Sequence, residues 1–189
     1  MRHTALLLTR PGAVMLIAVA LGLTIDHAAA QEHGHQEGQM NAVQISIPES
    51  MRAEHEAIHN QLVEATQVDG PVGVAARELA EVLHPHFVRE EEIALPPLGL
   101  LAPLAAGEFN ADMREVLPLT DALRAELPRM LAEHERIAAA AQRLEEVARE
   151  QGNASVEALA KALQLHARSE EELFYPAAVL VGDLVRARS

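Results

Sequence analysis

Two segments of the sequence place a histidine four residues before a glutamate, within patterns that are otherwise apolar and helical. His86 precedes Glu90, and His166 precedes Glu170. Residues four apart lie on the same face of an α-helix, so each pair can present an imidazole nitrogen and a carboxylate oxygen to one point. Both groups are common ligands of transition metals. The spacing therefore predicts metal ligation by the two pairs.

Two further histidines, His55 and His134, interrupt apolar stripes that step by three and four residues, the period of a buried helix face. The four stripes are Met51, His55, Ile58, Leu62 and Ala65; Leu79, Leu83, His86, Glu90 and Ile93; Leu123, Leu127, Met130, His134, Ile137, Ala141, Leu144 and Ala148; and Leu159, Leu163, His166, Glu170 and Leu173. No lysine or arginine lies in these stripes. Because an uncompensated buried carboxylate costs several kcal/mol, the two glutamates indicate a bound cation.

The second half of the sequence repeats the first. "EHEAI" at 54–58 returns as "EHERI" at 133–137, and "LAEVLHPHFVREEEIALP" at 79–96 returns as "LAKALQLHARSEEELFYP" at 159–176. Two copies of a helix pair, each with one apolar face, predict an all-α fold, an up-down four-helix bundle with an internal two-fold pseudo-repeat. The expected helices cover 49–67, 73–94, 120–150 and 154–174.

The N-terminal segment has the features of a secretory signal peptide. Arg2 and Arg10 precede an apolar run at 13–25, and small residues offer cleavage after Ala30. We expect a signal peptide over 1–30, a flexible tether over 31–47, the bundle over 48–189 and a periplasmic or secreted protein. A retained membrane anchor is the alternative, but the run is shorter than the roughly 20 residues that span a bilayer.

The composition limits the partners and the ligand chemistry. The formal net charge is −13, which argues against binding to nucleic acid or, once the signal peptide is removed, to an anionic membrane. The chain contains no cysteine, which excludes disulfides and thiolate ligands. Any metal must be held by nitrogen and oxygen atoms.

The ordered set "EHEAIH", "HFVREEE", "EHERI" and "HARSEEELFYP" resembles the hemerythrin-like, or HHE cation-binding, domain family over about residues 48–176. The resemblance implies a four-helix bundle around a non-haem di-iron centre, with terminal histidine ligands and two bridging carboxylates. Carried over to this chain, the implied terminal ligands are His55, His86, His134 and His166, and the implied bridges are Glu90 and Glu170. Glu91 and Glu171 are the alternative bridges, since some members space histidine and carboxylate by five.

The sequence departs from the oxygen-carrying hemerythrins at the fifth histidine, which in those proteins lies one turn beyond the histidine of the third helix. This chain has Ala138 there, whereas His59 occupies the pseudo-symmetric position in the first half. His59 is therefore a further candidate metal ligand. Five histidines would leave one open position on two six-coordinate metals, and four would leave two.

The resemblance implies an exported di-iron protein that binds or senses O2 or a related small oxidant, such as NO or peroxide. A di-iron enzyme of the peroxidase or nitric oxide reductase type is an alternative, but an open metal position is necessary and not sufficient for catalysis, so metal and O2 binding is favoured. Storage or buffering of iron or zinc is a further alternative function. Two iron ions are the expected cofactor, although zinc or manganese fits the same donors. The sequence identifies no protein partner.

Overall fold

The computed structural model describes residues 45–189. The predicted signal peptide over 1–30 and all but the end of the predicted tether over 31–47 lie outside these residues. The described part of the chain is helical and contains no strand, which confirms the all-α prediction. None of its helices is both long and apolar enough to cross a membrane.

The first half of the bundle consists of α1 (Glu49–Thr66) and α2 (Pro71–Arg89). Gly70 adopts a positive φ of 81° between them, a conformation that glycine reaches without steric strain. Pro71 then occupies the first turn of α2, where a backbone N–H has no intrahelical partner. Both helices lie close to the predicted bounds.

The connection to the second half is itself helical. A 3-10 turn (Pro96–Leu100), a short helix α3 (Leu101–Ala105) and a second 3-10 turn (Ala111–Val116) lead into α4 (Leu117–Glu150). α4 begins three residues before the predicted position because Pro118 falls in its first turn, where proline costs no hydrogen bond.

The last helical segment continues further than predicted. α5 (Ala154–Ser169) and α6 (Tyr175–Ala187) are joined by a helical turn without a break. The predicted helix end near residue 174 is wrong because Pro176 lies in the first turn of α6, where no intrahelical N–H is required. Asn153 starts α5 by accepting a hydrogen bond from the Val156 amide at 3.2 Å.

A π-helical turn follows both His-x-x-x-Glu helices, at Glu90–Ala94 and Glu170–Phe174. The amide of Leu95 donates to the carbonyl of Glu90 at 2.9 Å, five residues back. Each turn adds one residue to the helical period and so rotates the side chains beyond it about the helix axis. The prediction that Leu173 is buried is wrong for this reason: its exposure is 61%, and Tyr175 is buried instead.

Helices α1, α2, α4 and α5 contact one another in a closed ring, α1 to α2, α2 to α4, α4 to α5 and α5 to α1, as a four-helix bundle requires. One apolar cluster fills the bundle towards the α1–α2 connection, with Leu62, Leu79 and Leu144 among its members. A second contains Met51 and Met130. The histidines and glutamates that interrupt the four predicted stripes fall between these two clusters.

Candidate metal centre

Six polar side chains form one buried layer across the bundle, and their relative exposures are all 3% or less. They come from all four helices and from the start of both π-helical turns. The residues are His55, His86, Glu90, His134, His166 and Glu170. The structure thus brings six of the seven sequence-predicted site residues together.

Glu170 contacts three histidines of this layer. Its Oε1 lies 3.0 Å from Nε2 of His166 and 3.5 Å from Nε2 of His55, and its Oε2 lies 3.5 Å from Nε2 of His134. Two of these contacts are with other helices of the bundle, since His55 lies on α1 and His134 on α4. The carboxylate therefore stands between histidines that belong to different halves of the chain.

Glu90 occupies the pseudo-symmetric place. One oxygen, Oε1, lies 3.2 Å from Nε2 of His86 and 3.8 Å from Nε2 of His134, while Oε2 lies 3.8 Å from Nε2 of His55. The inner nitrogens of all four histidines thus face one or both carboxylates.

The layer contains two groups of side chains that can each hold a metal ion, with donor atoms within 4.8 Å of one another. The first group is His86, Glu90, His134 and Glu170, and the second is His55, His166 and Glu170. Glu170 belongs to both groups. Each group takes residues from both repeats, so neither repeat alone carries a complete set.

Several donor atoms of the layer have no hydrogen-bond partner and are free to bind a metal. Nε2 of His86, Nε2 of His166 and Oε2 of Glu90 are buried and make no hydrogen bond. Buried polar atoms without partners are rare in folded proteins. Imidazole nitrogens and carboxylate oxygens suit divalent transition metals, so these residues fit a metal ion.

The outer nitrogen of every layer histidine faces a carboxylate at the rim. Nδ1 of His55 lies 3.2 Å from Glu91, and Nδ1 of His134 lies 2.8 Å from Glu171. His86 forms a hydrogen bond with Glu133 at 3.0 Å, and Nδ1 of His166 lies 3.2 Å from Glu54 without a hydrogen bond. Such carboxylates fix the orientation of a metal-binding imidazole and raise its basicity.

Glu91 and Glu171, the alternative bridging carboxylates, lie at the rim of the layer. The side chains of Glu91 and Glu171 are 47% and 41% exposed and face outer ring nitrogens, whereas Glu90 and Glu170 lie inside the layer. Sequence reasoning missed Glu54 and Glu133. Their signal was present, because each immediately precedes a layer histidine in the repeated "EHE".

Two aromatic side chains pack on the layer. The hydroxyl of Tyr175 donates a hydrogen bond to Oε1 of Glu90, and its oxygen lies 3.1 Å from Nε2 of His134. Burial and the nearby carboxylates Glu90 and Glu170 raise the pKa of Tyr175 far above its ordinary value, so the phenol keeps its proton. Phe87 stacks on His55 with 4.1 Å between ring centroids.

The charges of the layer shift its protonation equilibria in the metal-free protein. Burial lowers the pKa of His166, but the close contact with the charged carboxylate of Glu170 outweighs it and raises that pKa to about 9. The pKa of His86 is raised in the same way by Glu90 and Glu133 against desolvation. Burial raises the pKa of Glu90, yet contacts with His134 and His86 lower it overall. The buried carboxylates thus favour the protonated forms of His86 and His166 in the metal-free protein.

The structure does not bring His59, the seventh predicted residue, into the layer. His59 follows His55 by four residues, but its side chain lies on the exposed side of α1. It belongs to neither ligand group. Its ring faces that of His84 on α2, with 6.3 Å between centroids.

A helical bundle with a buried layer of histidines and carboxylates is the architecture of a metal-binding protein. The family model of the hemerythrin HHE cation binding domain matches residues 46–178. The chain belongs to this family, as the sequence motifs predicted. No curated protein and no solved structure matches the chain significantly.

Proposed function

We propose that the chain is an exported dinuclear iron protein that binds or senses O2 or a related small oxidant. The proposed ligands are the six layer residues, with Glu170 and Glu90 as bridges. The observation that carries the proposal is the position of Glu170, which belongs to both ligand groups. A carboxylate shared by two sets of histidines is placed where it would bridge a pair of metal ions.

The choice of iron and of a small oxidant is supported by family membership and by the donor set. Four histidines and two carboxylates suit iron, while zinc and manganese accept the same atoms. When bound, iron would supply one-electron redox chemistry and affinity for O2 or NO. His59 is not in the proposed ligand set, because it lies on the exposed face of α1.

The side chains around the layer would control what reaches it. Phe87 covers one face of His55, and buried apolar residues above and below the layer exclude bulk water. A small uncharged molecule crosses such packing more easily than a charged one, since burial of a charge is costly. Tyr175 holds a proton at its hydroxyl oxygen beside Glu90 and so supplies one fixed hydrogen-bond donor at the layer.

The test is anaerobic purification of the full chain, followed by metal analysis and by absorption spectra before and after exposure to air. We expect about two irons per chain and a charge-transfer band that appears in air and disappears on removal of O2. Glu170→Gln is the matched control and should lack both. Irreversible oxidation would favour sensing or turnover, and two zinc ions without iron would contradict the redox function.

Export rests on the N-terminal sequence pattern alone and has its own test. Expression in a bacterial host should place the protein in the periplasmic fraction, and its intact mass should correspond to cleavage after Ala30. A cytoplasmic protein that retains Met1 or an uncleaved membrane-bound form would contradict export without affecting the metal site.

A further inference from the structure

Two histidines outside the buried layer face each other on the surface of the first half. Residues 45–189 contain six histidines, of which four belong to the layer and two, His59 and His84, are exposed. Their rings are separated by 6.3 Å between centroids, with 49° between ring planes. The pair joins α1 to α2 one turn outside the layer.

The two rings line a hollow of about 190 Å³ with further donor atoms. Glu56, Asn60 and Glu91 contribute oxygen-bearing side chains to its wall, and His55 and Phe87 close its inner end. The hollow is large enough to hold an ion with several waters. It is thus a largely apolar depression with two imidazoles at its sides and a few oxygen-bearing side chains on its wall.

The ring separation fits a shared ion. Metal–nitrogen bonds of about 2.0–2.1 Å place an ion about 3.2 Å from each imidazole centroid, so two rings on one ion lie at most about 6.4 Å apart. The observed 6.3 Å is close to this limit, which only a nearly linear N–metal–N arrangement reaches. Both side chains are exposed, so small rotations can bring their nitrogens closer together.

The pair does not follow from the internal repeat. The positions that match His59 and His84 in the second half are Ala138 and Gln164. Gln164 instead donates a hydrogen bond to Glu145 at 2.9 Å. Bundle architecture alone therefore requires neither histidine, since the same places are occupied by other residues in the second half.

We propose that His59 and His84 form a separate, exchangeable surface site for a divalent transition-metal ion of the zinc, nickel and copper class. Two imidazoles supply the ligands that select this class, and oxygen atoms of the hollow or water complete the coordination. The ion would sit directly outside His55, separated from the buried layer by the Phe87 and His55 rings.

The test counts ions by equilibrium dialysis of the full-length chain against Ni2+, with the buried layer already loaded. His59→Ala and His84→Ala should each bind one equivalent less than the wild type. His33→Ala combined with His35→Ala is the control for nickel binding by the N-terminal histidines of the sequence, and it should retain the site. Circular dichroism establishes that the variants are folded.

A spectroscopic measurement at the bound ion identifies its ligands without relying on the number of ions bound. Electron paramagnetic resonance of one added Cu2+ equivalent should show two imidazole nitrogens in the wild type and fewer in either variant. Equal nickel binding in all proteins, or loss only in the N-terminal variant, would overturn the proposal. Loss of metal from the buried layer in His59→Ala would also overturn it, by making His59 a ligand of that layer. Absence of iron from the layer would contradict the proposed function and leave the surface site intact.

Discussion

The hydroxyl of Tyr175, in the second half of the chain, donates a hydrogen bond to Glu90, in the first half. The residue that matches Tyr175 in the first-half repeat is Leu95, which has no polar group to offer. Glu90 and Glu170 are therefore inequivalent, although the repeat gives them the same position in their helices. The Glu90 side of the layer therefore has a fixed hydrogen-bond donor, the hydroxyl of Tyr175.

Tyr175→Phe should destabilise the metal-free protein by about 1–3 kcal/mol, because it leaves a buried oxygen of Glu90 without its donor. The change removes only the hydroxyl, so packing is retained. Urea denaturation of the metal-free protein measures the free energy of unfolding. An unchanged midpoint would mean that the hydrogen bond contributes no net stability.

Glu170→Gln should abolish binding of both metal ions, because this carboxylate belongs to both ligand groups. Glutamine keeps the shape but removes the charge that attracts and bridges the ions. Metal analysis after purification measures the content per chain. Glu171→Gln is the matched control and should retain both ions with affinity lowered by about 10–100-fold, as expected for loss of a carboxylate behind a ligand. Full metal content in Glu170→Gln would exclude it as a bridge.

Glu133→Gln should weaken metal binding by about 10–100-fold, because Glu133 orients His86 through its outer nitrogen. Glu54→Gln is the pseudo-symmetric variant and should have the smaller effect. Glu54 is 51% exposed, whereas Glu133 is 20% exposed and holds a 3.0 Å hydrogen bond. Competition with a chelator gives both affinities, and a larger loss in Glu54→Gln would contradict this ranking.

The apparent metal affinity should rise between pH 6.5 and about 9. The pKa of His166 in the metal-free fold is about 9 instead of 6.5, so a metal must displace its proton over this range, and each displaced proton gives about tenfold per pH unit. The stability of the metal-free fold should change with pH in the opposite direction. Protonated His166 stabilises it fully below pH 6.5, and this contribution is lost as the pH rises through about 9.

Calorimetric titrations at pH 7, in buffers of different ionisation enthalpy, measure the protons released on metal binding. We expect release of at least one proton per chain at that pH and less at pH 9.5. A pH-independent affinity would show that the layer histidines are already neutral in the metal-free protein.

Gly182→Ala should destabilise the contact of α6 with α4 by about 1–3 kcal/mol. A Cβ atom at this position would overlap the side chain of Thr120, which is itself buried. Thermal unfolding measures the loss. Combining it with Thr120→Ala should recover part of the stability, and strictly additive effects of the two changes would contradict a direct clash.

The sequence was sufficient to predict the layer because its residues repeat at helical spacing. His55, His86, His134, His166 and the two inner glutamates interrupt stripes that are otherwise apolar, and burial of such groups has few explanations. The helix pairing followed from the same repeat. Glu54 and Glu133 were not found, because they lie outside the apolar stripes, although the repeated "EHE" places each next to a layer histidine.

The π-helical turns could not be predicted from the spacing. A constant period of 3.6 residues places Leu173 in the core, and only the five-residue hydrogen bond back to Glu170 reveals that the helix widens there. The continuation into α6 was missed for a different reason: Pro176 indicates a helix end in the sequence but lies in the first turn of α6. The connection over 95–116 has no regular period and carried no prediction.

The exchange of ligands between the halves has a mechanical consequence. Each ion would tie a helix of the first repeat to a helix of the second, since both ligand groups draw on both repeats. In a chain without cysteine, such ties would act as reversible crosslinks that hold the two hairpins together. Separation of the hairpins would then require release of the ions. A chelator would therefore destabilise the bundle, as a reducing agent destabilises a disulfide-linked protein.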